Sequence, residues 1–229
     1  MKRARGLLTL ASAILGVLPC ALGADSVRDF GQWESEIAAF EQIDRTNPPP
    51  KGAVLFIGSS TIRLWKTLAQ DFPDQRVINR GFGGSHIVDS THFAPRIIFP
   101  YKPRSIFLRA GGNDLFAGRS PEQVFEDFKE FVAQIHQQLP RTEIAFISIC
   151  PSVARWTLAE QEKALNQKVA EFARMTPKVH YVDTYSMSLG ADGQPRPELF
   201  VEDKLHFNAQ GYKLLAERVR PFLAKMAAE

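Results

Sequence analysis

The stretch AVLFIGSSTI, residues 53–62, decides the fold. Its five consecutive apolar residues, Ala53 to Ile57, predict a strand that is buried on both faces, since a half-exposed strand would alternate apolar with polar residues. The small residues at 58–60 predict a tight turn, after which a helix begins near Thr61. A buried strand that runs directly into a helix is typical of a parallel sheet covered by helices.

The rest of the chain repeats this alternation of short apolar runs with longer amphipathic ones. Four more runs predict strands, at Arg76 to Ile78, Ser105 to Leu108, Glu143 to Ile149 and Val179 to Val182. Amphipathic spacing predicts helices at Thr61 to Leu68, His86 to Phe99, Pro121 to Gln138, Leu158 to Met175 and Ala209 to Lys225. The order predicts an α/β fold, a flavodoxin-like three-layer α/β/α sandwich with a five-stranded parallel sheet. In such folds, ligands bind beyond the carboxyl ends of the strands.

The N-terminal residues predict export. Lys2, Arg3 and Arg5 precede an uncharged apolar run that ends near Leu22, and small residues follow. This pattern predicts a signal peptide at residues 1–23, cleaved after Gly23, and a protein that is periplasmic or secreted. The alternatives are an uncleaved anchor and a lipoprotein attached through Cys20.

Residues 24–52 predict a helix followed by a proline-rich connector, and residues 53–229 predict one domain. Without the leader, basic and acidic side chains are equal in number, so the charge favours neither a nucleic-acid partner nor an anionic membrane. No second apolar segment indicates a transmembrane span in the mature chain. The one remaining cysteine, Cys150, ends an apolar run and is predicted to be a buried, inert thiol.

Three predicted turns at the carboxyl edge of the sheet carry candidate site residues. Ser60 follows the first strand, where its hydroxyl is a candidate nucleophile, and the alternative is that Ser59 or Ser60 only caps the next helix. Asn79 to Ser85, a glycine-rich turn after the second strand, suits an oxyanion hole better than a phosphate site, and a simple tight turn is the alternative. Asn113 follows the third strand and is either an oxyanion donor or a turn residue.

A fourth segment, Asp203-Lys-Leu-His206, precedes the last helix. The spacing lets the carboxylate orient the imidazole, so that His206 can act as a base. His86 and His92 follow the glycine-rich turn and are candidates to line the pocket. No carboxylate or cysteine cluster accompanies the histidines at metal spacing, so the sequence predicts no metal and no cofactor.

These four segments together resemble the SGNH (GDSL-like) hydrolase superfamily, and most closely its branch of platelet-activating-factor acetylhydrolase catalytic subunits. The resemblance covers about Val54 to Tyr212. It implies Ser60 as the nucleophile, His206 as general base and then acid, and Asp203 as the orienting carboxylate. It also implies an oxyanion hole made by the backbone amides of Ser60 and Gly84 and the side chain of Asn113. Ser59 stands where the family has aspartate, a position that is structural in the family.

The resemblance implies a serine esterase that needs no cofactor and acts on short-chain or acetyl esters. The four segments leave the substrate pockets undefined. A carbohydrate deacetylase, a lysophospholipase or thioesterase of the same fold, and a noncatalytic carbohydrate- or lipid-binding protein are therefore alternatives. A flavodoxin-like nucleotide binder would leave the pairing of Asp203 with His206 unexplained.

Overall fold

The computed structural model describes residues 28–228, so the predicted signal peptide lies outside the described residues. A short 3-10 turn, Gly31–Trp33, leads into helix α1, Glu34–Thr46, in the segment where apolar spacing predicts a helix. The chain then enters the sheet. Within the described residues, no helix is both long and apolar enough to cross a bilayer.

The sheet confirms the predicted fold class. Five parallel strands lie in the order β2-β1-β3-β4-β5. Their bounds are Val54–Gly58, Val77–Gly81, Ser105–Arg109, Glu143–Ile147 and Val179–Val182 for β1 to β5. The main difference from prediction is that β2 continues through Asn79 to Gly81, because these residues pair with Phe56 to Gly58 of β1. The glycine-rich turn therefore begins only at Phe82.

Helices cover both faces of the sheet. Their bounds, from α2 to α9, are Ser60–Arg63, Leu68–Asp71, Ile87–His92, Ala94–Ile97, Gly112–Phe116, Pro121–Gln138, Ala159–Met175 and Ala209–Ala228. The single helix predicted at 86–99 was wrong, because Pro95 has no N–H with which to continue α4. The helix predicted at 61–68 is likewise two short helices, α2 and α3. Their apolar residues Ile62 and Leu68 are nevertheless both buried, which is the pattern that suggested one helix.

Two hydrophobic clusters, one on each face of the sheet, form the core. Val54 and Phe56 of β1 belong to the cluster beneath α2, α3 and α9. Leu55 and Ile57 belong to the cluster beneath α1, α4, α5, α7 and α8. Every residue of β1, β3 and β4 is buried, as expected for strands covered on both faces. The carboxyl ends of these strands carry the loops described next.

Candidate active site

Ser60 is the first residue of α2, directly beyond the carboxyl end of β1. Gly58 makes this turn possible, since its φ is +132° and a Cβ there would lie 2.1 Å from the carbonyl oxygen of Arg109. The Ser59 amide donates to the same carbonyl oxygen at 3.0 Å, which fixes the turn against β3. The Ser59 side chain makes no capping hydrogen bond, so capping does not account for this serine pair.

His206 and Asp203 lie in the loop before α9 and reach Ser60 from the other side of the cleft. His206 Nε2 lies 2.9 Å from Ser60 Oγ, and His206 Nδ1 lies 2.6 Å from Asp203 Oδ2. The backbone amides of Leu205 and His206 both donate to Asp203 Oδ1 at 2.9 Å. These hydrogen bonds lower the pKa of Asp203 to about 2, and the bond from the His206 side chain has the largest effect. The carboxylate is therefore ionised at neutral pH, and its partial exposure to water is consistent with the charged form.

Two backbone amides and one side-chain amide converge on the same cleft. Gly84 has a φ of +77°, a conformation that glycine adopts readily. Neither the Ser60 amide nor the Gly84 amide donates to another residue in the described part of the chain. Asn113, in the first turn of α6, lines the cavity with both of them.

The amide group of Asn113 is held in one orientation by two neighbours. Its Nδ2 donates to the Ser85 carbonyl oxygen at 3.1 Å, and its Oδ1 accepts from Arg155 Nη1 at 2.9 Å. Because an arginine can only donate, the oxygen of the amide must face Arg155. One Nδ2 hydrogen then remains for a ligand in the cleft.

A second contact joins α6, which carries Asn113, to the start of α4, just after the glycine-rich turn. The fully buried carboxylate of Asp114 accepts from the Ile87 amide at 3.2 Å. Burial raises the pKa of Asp114 to about 7 and lowers the pKa of the neighbouring His86 to about 4. His86 and His92, candidates to line the pocket, are not among the cavity residues, and His92 instead stacks on Phe30.

The cavity at this edge of the sheet has a volume of about 290 Å³. Ser60, Gly84, Asn113 and His206 all lie on its wall, whereas Asp203 stands behind His206. The structure thus brings Ser60, Gly84, Asn113, Asp203 and His206 together, and it leaves His86 and His92 outside the cavity. No group of three or more histidine, cysteine or acidic residues within 28–228 is arranged to hold a metal ion.

Comparison with known proteins identifies the family of this chain. The sequence profile of the GDSL-like Lipase/Acylhydrolase family matches residues 57–214, which includes Ser60 and His206. The chain belongs to this family. Its members are acylhydrolases, so the family indicates a hydrolase that acts on esters. A search of curated proteins found no match.

Solved structures show the GDSL-like fold in distant relatives. A candidate platelet activating factor protein from Streptococcus pneumonia is 20% identical, with a TM-score of 0.75, and the match covers 85% of this chain and 94% of that one. A GDSL-like lipase from Bacteroides thetaiotaomicron is 17% identical, with a TM-score of 0.68 and coverage of 86% and 98%. A mutant acetyl-xylooligosaccharide esterase from Geobacillus Stearmophilus is 16% identical, with a TM-score of 0.61 and coverage of 75% and 94%.

Sequence reasoning missed four charged residues on the cavity wall of this GDSL-like protein: Arg63, Arg109, Arg155 and Glu162. Arg63 ends α2, the helix that begins at Ser60. Arg109 ends β3, Arg155 follows β4, and Glu162 lies in the first turn of α8. The rule that ligand sites follow strands would have drawn attention to the loop after β4. Cys150, in that loop, is buried as predicted, yet it also lines the cavity and accepts a hydrogen bond from Arg109 Nη2 at 3.2 Å.

Proposed function

We propose that this GDSL-like protein is a serine esterase in which Ser60 is the nucleophile, His206 the base and Asp203 the orienting carboxylate. The observation that carries the proposal is the pair of contacts made by His206, 2.9 Å to Ser60 Oγ and 2.6 Å to Asp203 Oδ2. A serine hydroxyl is a weak nucleophile until a base takes its proton. Since Nδ1 gives its hydrogen to Asp203, Nε2 is the nitrogen left to accept that proton.

The proposed reaction is acyl transfer to water in two steps. Ser60 Oγ forms a bond to the ester carbonyl carbon while its proton moves to His206 Nε2. The carbonyl then re-forms, the bond to the alcohol oxygen breaks, and His206 returns the proton to the departing alcohol. In the second step, water attacks the acyl-enzyme in the same way, and the carboxylic acid leaves as Ser60 is regenerated.

The negative charge on the tetrahedral intermediate needs donors that are already in place. We assign this role to the backbone amides of Ser60 and Gly84 and to Nδ2 of Asn113, all of which border the cavity. Removal of one such donor from a comparable enzyme costs about 3 kcal/mol of transition-state stabilisation. The contacts with Ser85 and Arg155 hold Asn113 in position before the substrate binds.

The cavity favours a small acyl group. Sites for drug-sized ligands measure about 300–1,000 Å³, so a cavity of about 290 Å³ suits an acetyl or other short-chain ester. The fold is shared with an acetyl-xylooligosaccharide esterase, which adds acetylated sugars to the substrates worth testing. A lysophospholipase or thioesterase remains the second candidate within the family.

Hydrolysis of p-nitrophenyl esters of increasing chain length tests this proposal. We expect kcat/KM to be highest for acetate or butyrate and to be abolished by Ser60→Ala. Ser59→Ala is the matched control, because it removes the neighbouring hydroxyl but leaves Ser60. Activity retained by Ser60→Ala would contradict the assignment of Ser60 as the nucleophile. Highest activity on long acyl chains would contradict the short-chain preference.

We also propose that the protein is exported, with cleavage after Gly23. The support is the basic and apolar pattern of residues 1–22. The mass of the protein recovered from periplasm or culture medium tests it: we expect an N-terminus at Ala24. A full-length chain that stays in the cytoplasmic fraction would contradict export.

A further inference from the structure

Two buried charged groups lie on the cavity wall without a role in the proposed hydrolysis. Arg109 is 7% exposed and Glu162 is 3% exposed, yet both residues line the cavity that holds Ser60. Within the described residues, no salt bridge or hydrogen bond joins Glu162 to Arg109 or to Arg155. An acidic and a basic side chain therefore border the same cavity without a direct contact between them.

Each of these groups also has a hydrogen-bonding atom without a partner. Within residues 28–228, neither Glu162 Oε2 nor Arg109 Nε, both buried, has a hydrogen-bond partner. In the same residues, the guanidinium of Arg109 makes one hydrogen bond, to the Cys150 sulfur, which is a weak acceptor. Buried polar atoms are almost always paired in folded proteins, so unsatisfied donor and acceptor capacity on two side chains that line one cavity indicates a polar ligand there.

We propose that Arg109 and Glu162 form a subsite for a hydroxyl-bearing part of the ester, as in an O-acylated sugar or other polyol. This inference rests on the proposed esterase function and names its substrate class. A hydroxyl group donates one hydrogen bond and accepts others, so hydroxyls can satisfy the carboxylate of Glu162 and the guanidinium of Arg109 at once.

Other substrate groups fit this pair of residues less well. A plain alkyl chain would enter the cavity and leave the unpaired atoms of both side chains without hydrogen bonds, which strongly disfavours its binding. A carboxylate-bearing group would suit the three arginines that line the cavity, Arg63, Arg109 and Arg155, but would face Glu162. Burial raises the pKa of Glu162 to about 7. Glu162 is therefore increasingly ionised at and above neutral pH, where it repels a second negative charge.

Matched pairs of esters test the subsite. 1-Acetylglycerol and n-propyl acetate share an acetyl group and a three-carbon alcohol and differ in two hydroxyls. Ethyl 3-hydroxybutanoate and ethyl butanoate place a similar difference, of one hydroxyl, on the acyl side. We expect kcat/KM to favour the hydroxylated member of at least one pair by about tenfold or more, and the responding pair identifies the side of the ester that occupies the subsite. 3-Acetoxypropanoate tests the carboxylate-bearing alternative.

The variants Glu162→Leu and Glu162→Gln connect any preference to this residue. We expect Glu162→Leu to reduce the ratio within the responding pair to near one without lowering Tm, because it removes an unpaired buried carboxylate. Glu162→Gln keeps the shape and should lower the ratio by a smaller factor. Glu160→Leu, at an exposed position two residues earlier in α8, is the control and should leave the ratio unchanged.

Three outcomes would overturn the subsite. Equal rates within both pairs would do so while leaving the esterase itself intact. A preference for 3-acetoxypropanoate over 1-acetylglycerol would assign the cavity to anionic esters instead. A wild-type ratio in both Glu162 variants would show that the preference arises elsewhere. Absence of hydrolysis for every ester would overturn the esterase proposal, and the subsite with it.

Discussion

His206 Nε2 lies 2.9 Å from Ser60 Oγ, although 146 positions separate the two residues in the chain. The sheet creates this contact, because β1 delivers Ser60 to its carboxyl edge while the loop before α9 returns His206 to that same edge. Phe200 and Phe207 pair across the base of the His206 loop and stack with their rings 5.4 Å apart. The approach of base to nucleophile is thus built into the folded loop.

Asp203→Asn tests whether the carboxylate orients the base. We expect kcat to fall by roughly 10² to 10⁴, because an amide can present its NH₂ group to His206 Nδ1 and so favour the wrong tautomer. KM should change little, since Asp203 stands behind His206 and does not line the cavity. Steady-state kinetics at pH 7 make the comparison. A variant with wild-type kcat would remove Asp203 from the mechanism.

Asn113→Ala separates the oxyanion role from a turn-forming role. If Asn113 donates to the transition state, its replacement should lower kcat by about a hundredfold or more, with KM little changed. The lost bonds to Ser85 and Arg155 should also lower the free energy of unfolding by about 1–2 kcal/mol. Kinetics beside a thermal melt resolve both effects. A lower Tm with intact kcat would leave Asn113 with only the structural role.

Gly58→Ala and Gly84→Ala should behave differently although both glycines have positive φ. A Cβ at Gly58 would lie 2.1 Å from the Arg109 carbonyl oxygen, whereas a Cβ at Gly84 meets no atom within 4 Å. We expect Gly58→Ala to yield no soluble folded protein. Gly84→Ala should fold, lose about 1–2 kcal/mol, and keep most activity, because its backbone N–H is retained. Circular dichroism and ester hydrolysis provide the measurements, and equal behaviour of the two variants would contradict this account of the turns.

Asp114→Asn should stabilise the protein increasingly as the pH rises. The pKa of Asp114 is raised to about 7 in the fold, from an ordinary value near 3.8. Between about pH 4 and pH 7 the unfolded chain therefore releases a proton that the folded chain keeps. The native protein loses stability across that window and does not regain it above pH 7. The substituted amide retains an acceptor for the Ile87 N–H but does not titrate, so the Tm advantage of the variant should grow from pH 4 to pH 8. A constant difference in Tm would contradict the raised pKa.

The sequence predicted the sheet well because buried parallel strands have an unambiguous signature. β5, at Val179–Val182, has its predicted bounds, and α7, predicted at Pro121 to Gln138, also has its predicted bounds. The bounds of β2 were harder, since Asn79, Arg80 and Gly81 have the composition of a turn. They lie in a strand because β1 pairs with them and Asn79 bonds the Ile62 carbonyl oxygen.

The candidate site was predictable only where a residue type and a strand end coincide. Ser60 and Asn113 met that condition, whereas Asp203 and His206 were found from their spacing in the segment before the last helix. Glu162 did not meet it, because it lies in the first turn of an amphipathic helix beside another acidic residue, Glu160. The linear sequence does not show that Glu162 is the buried one of the two. Arg109 was hidden at the end of an apolar strand. Both became visible only when the fold placed the two residues on the cavity wall, each with a buried atom that has no partner within residues 28–228.

Covalent labelling tests the central claim, that Ser60 is a nucleophile activated by His206, most directly. A fluorophosphonate probe followed by peptide mass spectrometry should give one adduct, located on Ser60, in the wild-type protein and in Ser59→Ala. Ser60→Ala should give none, and His206→Ala should be labelled far more slowly, because the proton of Ser60 then has no acceptor. An adduct on any other residue, or labelling of Ser60 that proceeds at the wild-type rate in His206→Ala, would contradict the claim.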